Sequence, residues 1–313
     1  MNESTQDVLV LVDGDAAVAG PVAVARAAAA PGAAVVAVVA GARAVADAVA
    51  ASGVDRVLWL GEPGDGVPVE ALAGAVAEVV AGAAPRLVVA TTRDGGRALA
   101  GAVAARCGAP VLTGATSVSA TADAVEVRRD VHGGIAVRTE RVTGGPAVVT
   151  VAPGGVAAPA APVAVEEVAA PVPAAAVRVR EERASGRASV DLGGARVVVG
   201  IGRGLKARED LALVERLAAA LGAEVACSRP LAEGHDWLTK DRYIGISGQH
   251  VAPDLYVAAG ISGQVQHMVG VAGAKVVVAI NSDADAPVFA QCDHGVVGDL
   301  YTVLPALAAA LEA

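Results

Sequence analysis

Side chains able to do chemistry gather in one stretch of the chain, 241–281, which reads DRYIGISGQHVAPDLYVAAGISGQVQHMVGVAGAKVVVAIN. Two Gly-Ser turns, Gly245-Ile246-Ser247-Gly248 and Gly260-Ile261-Ser262-Gly263, alternate there with apolar runs of strand length at 255–260 and 275–280. Ser262 is spaced to cap a helix through Gln266, His267 and Met268. The free backbone N–H groups of Ser262, Gly263 and Gln264 would then face outward from a strand end as an anion site. In the other turn the Ser247 hydroxyl is flanked by glycines that let a flat ligand approach the backbone closely. Either turn alone reads as a plain connection between strands. Together, with Gln266 and His267 one turn into the helix and Asn281 ending the next strand, they point to a nucleotide.

The elements that must position these groups follow from periodicity. Strands are expected at 8–12, 34–40, 57–60 and 87–91, alternating with helices at 21–30, 69–81 and 97–107, and 110–112 follows. Repeated βαβ units imply a parallel sheet with helices on both faces. Strands without helices come next, at 124–129, 135–142 and 147–151, punctuated by Gly133-Gly134 and Gly144-Gly145-Pro146, and are expected to extend the sheet edge. A Pro, Ala and Val tract at 152–175 and a charged run at 178–187 mark a linker and a domain boundary near 186. Beyond it come a strand at 196–200, a helix at 211–221 and a strand at 224–227. The expected fold class is α/β with two doubly wound, Rossmann-like parallel-sheet domains, 1–186 and 187–313.

Composition narrows the function. The 313 residues are 54% hydrophobic and only 2% aromatic, so the cores are built from Ala, Val and Leu and stacking platforms for bases are scarce. A formal charge of −9 argues against nucleic acid as a partner, because phosphate neutralisation needs clustered Lys and Arg. An acidic surface suits docking to a basic protein patch. Cys107, Cys227 and Cys292 lie far apart with no Cys-x-x-Cys pair, which speaks against a disulfide framework or zinc site, and Cys292 reads as a small apolar filler. His235, His250 and His294 lack metal-ligand spacing, so no metal is assigned. The start, MNESTQDVLVLV, lacks the pattern of a signal peptide, and the uncharged run 142–165 is broken by Pro146, Pro153, Pro159 and Pro162. A cytoplasmic protein without membrane insertion is expected. No Ser-His-Asp or paired-carboxylate arrangement stands out. The first domain carries no phosphate-loop fingerprint, and Asp13-Gly14-Asp15 after its first strand would repel phosphate, so it reads as a scaffold and docking surface.

The 241–281 stretch resembles the α subunit of electron transfer flavoprotein, with its VAPELY-like strand, GISGxxQH loop and AIN strand end. Further matches are Gly200-Ile201-Gly202-Arg203-Gly204-Leu205-Lys206, Cys227-Ser228-Arg229-Pro230 and the closing Asp299-Leu300. The resemblance implies an FAD held by the second domain. Carried over residue by residue, Arg203 reaches the diphosphate or adenosine part. Ser262 and the N–H groups of Gly263, Gln264 and Val265 hold the diphosphate, and Ser228, Asn281, Asp299 and Leu300 complete the contacts. Ser247, in the turn Ile244-Gly245-Ile246-Ser247, faces the flavin N5, Arg229 approaches the ring, and Gln266 and His267 face its N1 and C2 carbonyl side. The family's first domain holds no cofactor and serves as an interface with the β subunit.

The implied function is an electron carrier without a substrate pocket of its own, within a heterodimer whose β subunit carries AMP or a second FAD. Electrons would come from an acyl-CoA or other flavin dehydrogenase, as in fatty acid β-oxidation, and pass to a quinone reductase or similar acceptor. The rival reading is a stand-alone nicotinamide- or flavin-dependent oxidoreductase on the same fold. A third is a nucleotide-sensing module holding AMP or ATP. The chain departs from the family pattern at Ile246, where Gln is usual, at Gln249 and His250, where Lys is usual, and in a longer 231–240 segment.

Overall fold

Runs of Val, Ala and Leu without polar residues form stable strands only when both faces are covered, and that requirement sets the architecture. In the computed structural model, which describes residues 5–121, 123–132, 136–154, 157–169, 177–181, 190 and 192–312, the chain divides into two compact units, Met1–Arg183 and Ala184–Ala313. The boundary expected near 186, the Gly133-Gly134 turn, the strand start at Ile135, and 155–156 and 170–175 of the expected linker lie outside the described residues.

The first unit runs β1 (Thr5–Asp13), α1 (Ala19–Ala28), β2 (Val35–Ala40), α2 (Arg43–Ala50), β3 (Arg56–Trp59), α3 (Ala73–Ala83), β4 (Pro85–Thr91), α4 (Asp94–Cys107), β5 (Val111–Leu112), β6 (Ala115–Ala120), β7 (Ala124–Val131), β8 (Ala136–Thr143), β9 (Ala147–Val151) and β10 (Val165–Glu167). Seven strands pair in parallel in the order β10-β3-β2-β1-β4-β9-β5. Val8, Val10 and Val12 of β1 pack with Val22 and Ala25 of α1 and Ala46 and Val49 of α2. Leu9 and Leu11 face the other way, onto Val76 and Val80 of α3 and Leu99 and Val103 of α4. Helix α2 was not expected from the sequence.

The expected extension of the sheet edge does not form. Strands β6, β7 and β8 make a separate antiparallel sheet, because β7 alternates buried and exposed residues, β6 buries only Ala115 and Val118 and β8 buries none, so only one face is covered. Strand β9 is wholly buried, with Thr150 its one polar residue, and it lies inside the main sheet between β4 and β5. The Pro, Ala and Val tract also does more than link. Its three-residue strand β10, too short to show a periodicity, pairs with β3, and Arg56 donates to Glu166 at 2.9 and 2.8 Å across that edge.

The second unit runs β11 (Val197–Ile201), α5 (Leu211–Leu221), β12 (Glu224–Cys227), β13 (Leu255–Ala259), α6 (Val265–Met268), β14 (Val276–Asn281), β15 (His294–Val297) and α7 (Leu300–Glu312). All five strands are parallel, in the order β12-β11-β13-β14-β15. Val199, Ile201, Val257 and Ala259 face α5 and α7 through Val214, Leu217, Leu304 and Ala308. On the opposite face Val198, Tyr256, Ala258 and Ala279 meet Ile244, Ile261, Met268, Val271 and Val288. Among the described residues only the four-residue α6 and short turns lie there, so loops close that core.

The chain leaves β11 towards β12 on one side and enters β13 on the other, so the crevice beyond β11 and β13 is a topological switch point, where ligands bind in such sheets. Both strands exit through glycines. A methyl group on Gly204 would stand 2.7 Å from Gly260 Cα, one on Gly260 2.8 Å from Gly204 Cα, and one on Gly202 2.3 Å from the Gly260 carbonyl oxygen. Gly260 also takes a φ of 64°, in the left-handed region. Leu300 packs against both glycines from α7.

Candidate cofactor site

A cavity of about 710 Å³ opens at that switch point, within the range of roughly 300–1,000 Å³ usual for small-molecule sites. The turn after β11 contributes Gly202, Arg203, Gly204 and Lys206, and the end of β12 contributes Ser228, Arg229 and Pro230. Tyr243, Ile244, Ile246 and Ser247 come from the following loop. Gly260, Ile261, Ser262, Gln264, Gln266 and His267 come from the β13 to α6 segment. Asn281, Ser282, Asp283, Ala286 and Pro287 follow β14, and Asp299 and Leu300 open α7.

Of the residues singled out from the sequence, Arg203, Ser228, Arg229, Ile244, Ile246, Ser247, Ser262, Gln264, Gln266, His267, Asn281, Asp299 and Leu300 are all brought to this cavity. Gly245, Gly263 and Val265 are not on its wall. Gly245 and Gly263 act behind it. A methyl group on Gly245 would lie 2.7 Å from the Gln266 carbonyl oxygen, and one on Gly263 2.2 Å from the Val288 nitrogen. Lys206 and Tyr243 went unassigned in the sequence, although Lys206 stands in the quoted turn and Tyr243 adjoins Ile244.

One role differs from expectation, and other site residues make additional contacts. Ser262 does not cap α6: the residue at the cap position is Gln264, with no side-chain cap bond, because α6 starts two residues later than the serine spacing requires. Asn281 is a brace, its Nδ2 donating to the Ile261 carbonyl at 3.0 Å and its Oδ1 accepting the Asp283 N–H at 3.0 Å. Arg229 lies at the rim, 64% exposed, and its Nε donates to Glu233 at 2.6 Å across one π-helical turn, Pro230–Gly234. The Ser247 hydroxyl is 3.1 Å from the Tyr243 hydroxyl, and the Ile246 N–H donates to the Gln266 carbonyl at 2.8 Å, which ties the two Gly-Ser segments together.

His267 is buried. Its Nε2 is 2.7 Å from the hydroxyl of Tyr256, which is also buried, while Nδ1 is out of contact with solvent and makes no hydrogen bond of full geometry. Burial pushes its pKa down to about 4, with the Ile244 backbone opposing only in part. The imidazole is therefore neutral at pH 7. Burial also pushes the Cys227 thiol up to about 12, so it is not a redox thiol at neutral pH.

The model of the electron transfer flavoprotein FAD-binding domain matches residues 191–272, the stretch that builds most of this wall, and the model of the electron transfer flavoprotein domain matches 17–178. YdiR of Escherichia coli (strain K12), provisionally named an electron transfer flavoprotein subunit, is 44% identical over 230 residues, 72% of this chain and 73% of YdiR. Protein FixB of Escherichia coli O6:K15:H31 (strain 536 / UPEC) is 42% identical over 257 residues, 80% of this chain and 82% of FixB. The chain belongs to the electron transfer flavoprotein α-subunit family. Its cofactor is FAD.

The residues present fit that cofactor. Glycine backbones at the switch point leave no side chain between the turns and a ligand, and Arg203, Lys206 and the hydroxyls of Ser228 and Ser262 supply donors for an anionic diphosphate. Ile244, Ile246, Ile261 and Pro287 supply the apolar wall a flat ring needs. Among the described residues no helix is long and apolar enough to cross a membrane.

A stability test follows from the depressed His267 pKa. Below about 6.5 the unfolded chain takes up a proton at this position that the folded chain refuses, so stability falls as pH drops from 6.5 towards 4. At about 1.4 kcal/mol per pH unit the loss reaches roughly 3 kcal/mol. Urea unfolding between pH 7 and 4.5 should show a shallower decline for His267→Gln than for the wild type. Parallel declines would mean that His267 is protonated in the folded state.

Proposed function

We propose that the chain is the α subunit of a heterodimeric electron carrier, holding FAD in the cavity at the β11 and β13 strand ends and exchanging electrons with partner proteins. The observation that carries this reading is the composition of the cavity wall. It combines glycine turns, cations and hydroxyls with an apolar face, and neither its histidine nor the nearby Cys227 is poised for acid–base or nucleophilic work. His267 is held neutral with Nε2 spent on Tyr256, and the Cys227 thiol is far from ionised at neutral pH. That combination favours a carrier over a stand-alone oxidoreductase.

When bound, FAD supplies a ring that takes up and gives back electrons, gaining negative charge on its N1 and C2 carbonyl side. In this reading Arg203, Lys206, Ser228 and Ser262 hold the diphosphate, Asn281 and Leu300 keep the surrounding turns in place, and Asp299 closes the site at the start of α7. Ser247 lies at N5, and Arg229 supplies permanent positive charge beside the ring. Gln266 and His267 form the N1 and C2 wall. The partner is a β subunit carrying AMP or a second FAD. The donor is an acyl-CoA or other flavin dehydrogenase, with a place in fatty acid β-oxidation, and the acceptor is a quinone reductase. The 1–186 region serves as the partner-facing scaffold, 187–313 carries the FAD, and the assembly works in the cytoplasm.

Co-expression with a β-type subunit should yield one complex with a flavin visible spectrum that reduces in the presence of a flavin dehydrogenase and its substrate. An isolated chain that is a well-behaved monomer with one FAD would contradict the obligate heterodimer. Arg229→Ala should lower the flavin reduction potential while FAD stays bound. The effect should be tens of millivolts at most, because the guanidinium is largely exposed and shared with Glu233. Arg229→Lys should recover part of it, keeping charge but not the planar fork. Unchanged potentials in Arg229→Ala would reduce Arg229 to a partner of Glu233.

A further inference from the structure

The turn that brings Arg203 and Lys206 to the cavity is rich in glycine, and glycine loses more backbone freedom on ordering than any other residue, so the shape of the turn must be held from outside. Its first half is held by the exit of β13. The Gly202 N–H donates to the Ala259 carbonyl at 3.0 Å and the Gly204 N–H to the Gly260 carbonyl at 3.2 Å. Its second half rests on two side chains that do not line the cavity, Tyr301 of α7 and Asp210 just before α5. The Lys206 N–H donates to the Tyr301 hydroxyl at 2.9 Å, and that hydroxyl donates to Asp210 Oδ2. The same carboxylate oxygen accepts the Ala207 N–H at 3.0 Å.

Chemistry fixes the direction of this relay. A backbone N–H only donates and a carboxylate only accepts, so the phenol between them must accept from Lys206 and donate to Asp210. Hydrogen bonds that end on a carboxylate are among the stronger ones. The Tyr301 ring holds the other end of the lysine: the Lys206 ammonium lies 5.1 Å from the ring centroid, within the distance at which the ring face attracts a cation. One residue of α7 thus grips both the backbone and the charge of Lys206, while the adjoining Leu300 packs against Gly204.

We propose that Tyr301 is a positioning residue for FAD: backed by Asp210, it pins the Lys206 end of the glycine turn to α7 and keeps the Lys206 ammonium in place for the cofactor's diphosphate. A free lysine stem must give up its rotamer freedom when an anion binds. A stem already laid over the ring surrenders part of that freedom during folding, so binding costs less. The relay stands on the protein alone, while its effect on the cofactor rests on the reading of the cavity as the FAD site with Lys206 at the diphosphate.

Titration of FAD into flavin-stripped full-length protein tests the proposal. Tyr301→Phe keeps the ring and removes the hydroxyl, and FAD binding should weaken about three- to tenfold, the range for one or two lost hydrogen bonds. Asp210→Ala breaks the relay from its other end, outside the cavity, and should give a loss of similar size. It takes the place of Tyr301→Phe in every comparison if that variant does not fold. The Lys206→Met background supplies the readout that a merely structural role would not move: there Tyr301→Phe should cost little further affinity. Wild-type affinity in Tyr301→Phe, or equal losses from it in both backgrounds, would overturn the positioning role while leaving the FAD site intact. Wild-type affinity in Lys206→Met would overturn it at a different point, by removing Lys206 from the diphosphate and with it that part of the reading of the cavity.

Discussion

The backbone contact between Gly204 and Gly260 is the constraint on which the rest of the second unit depends. Parallel strands β11 and β13 lie side by side, and their exits can diverge into a binding crevice only if the two turns first cross without side chains. The glycines let the turns touch, and Leu300 fills the space beneath them from α7. The cavity opens where the chain separates again. Arg203 and Lys206 are carried on one turn and Ile261 and Ser262 on the other, so the polar groups converge because the two turns share one small contact.

A second layer holds the opposite wall. Gly200 leaves room for Tyr256, Tyr256 meets His267, and the backbone next to His267 receives the Ile246 N–H through the Gln266 carbonyl. Tyr256 and His267, nearest the core, are thus neutral and bonded to each other, and Arg229 sits at the rim in water. This division suits a cofactor that must change charge reversibly. A buried cation would be costly in the oxidised state, whereas a rim cation shared with Glu233 responds to added charge with little desolvation.

Much of this was legible in the residues. Buried parallel strands announce themselves as unbroken runs such as Val197–Ile201 and Val276–Asn281, and the two Gly-Ser turns marked the wall of the cavity in advance. The failures have physical causes. The run Ala147–Val151 misleads by position rather than by type: nothing local says that an apolar strand following two partly polar ones returns to the middle of the parallel sheet. Ser262 has the composition of a cap, but α6 starts too far along the chain for its hydroxyl to serve as one. Asn281 lines the cavity, and the bonds by which its amide also braces Ile261 and Asp283 are not visible in the sequence. Tyr256 could not be distinguished from a core aromatic, because the room for its hydroxyl beside His267 depends on Gly200, a distant residue in sequence that lies on the neighbouring strand.

Whether glycine contact at the switch point builds the FAD site is decided by titrating FAD into flavin-stripped full-length protein carrying Gly204→Ala or Gly260→Ala. Each added methyl group must push the turns apart, and at residue 260 it also adopts a left-handed conformation that costs about 1 kcal/mol. FAD binding should weaken at least about tenfold, equivalent to about 1.4 kcal/mol, with circular dichroism of the folded chain retained. Wild-type affinity in both variants would contradict it.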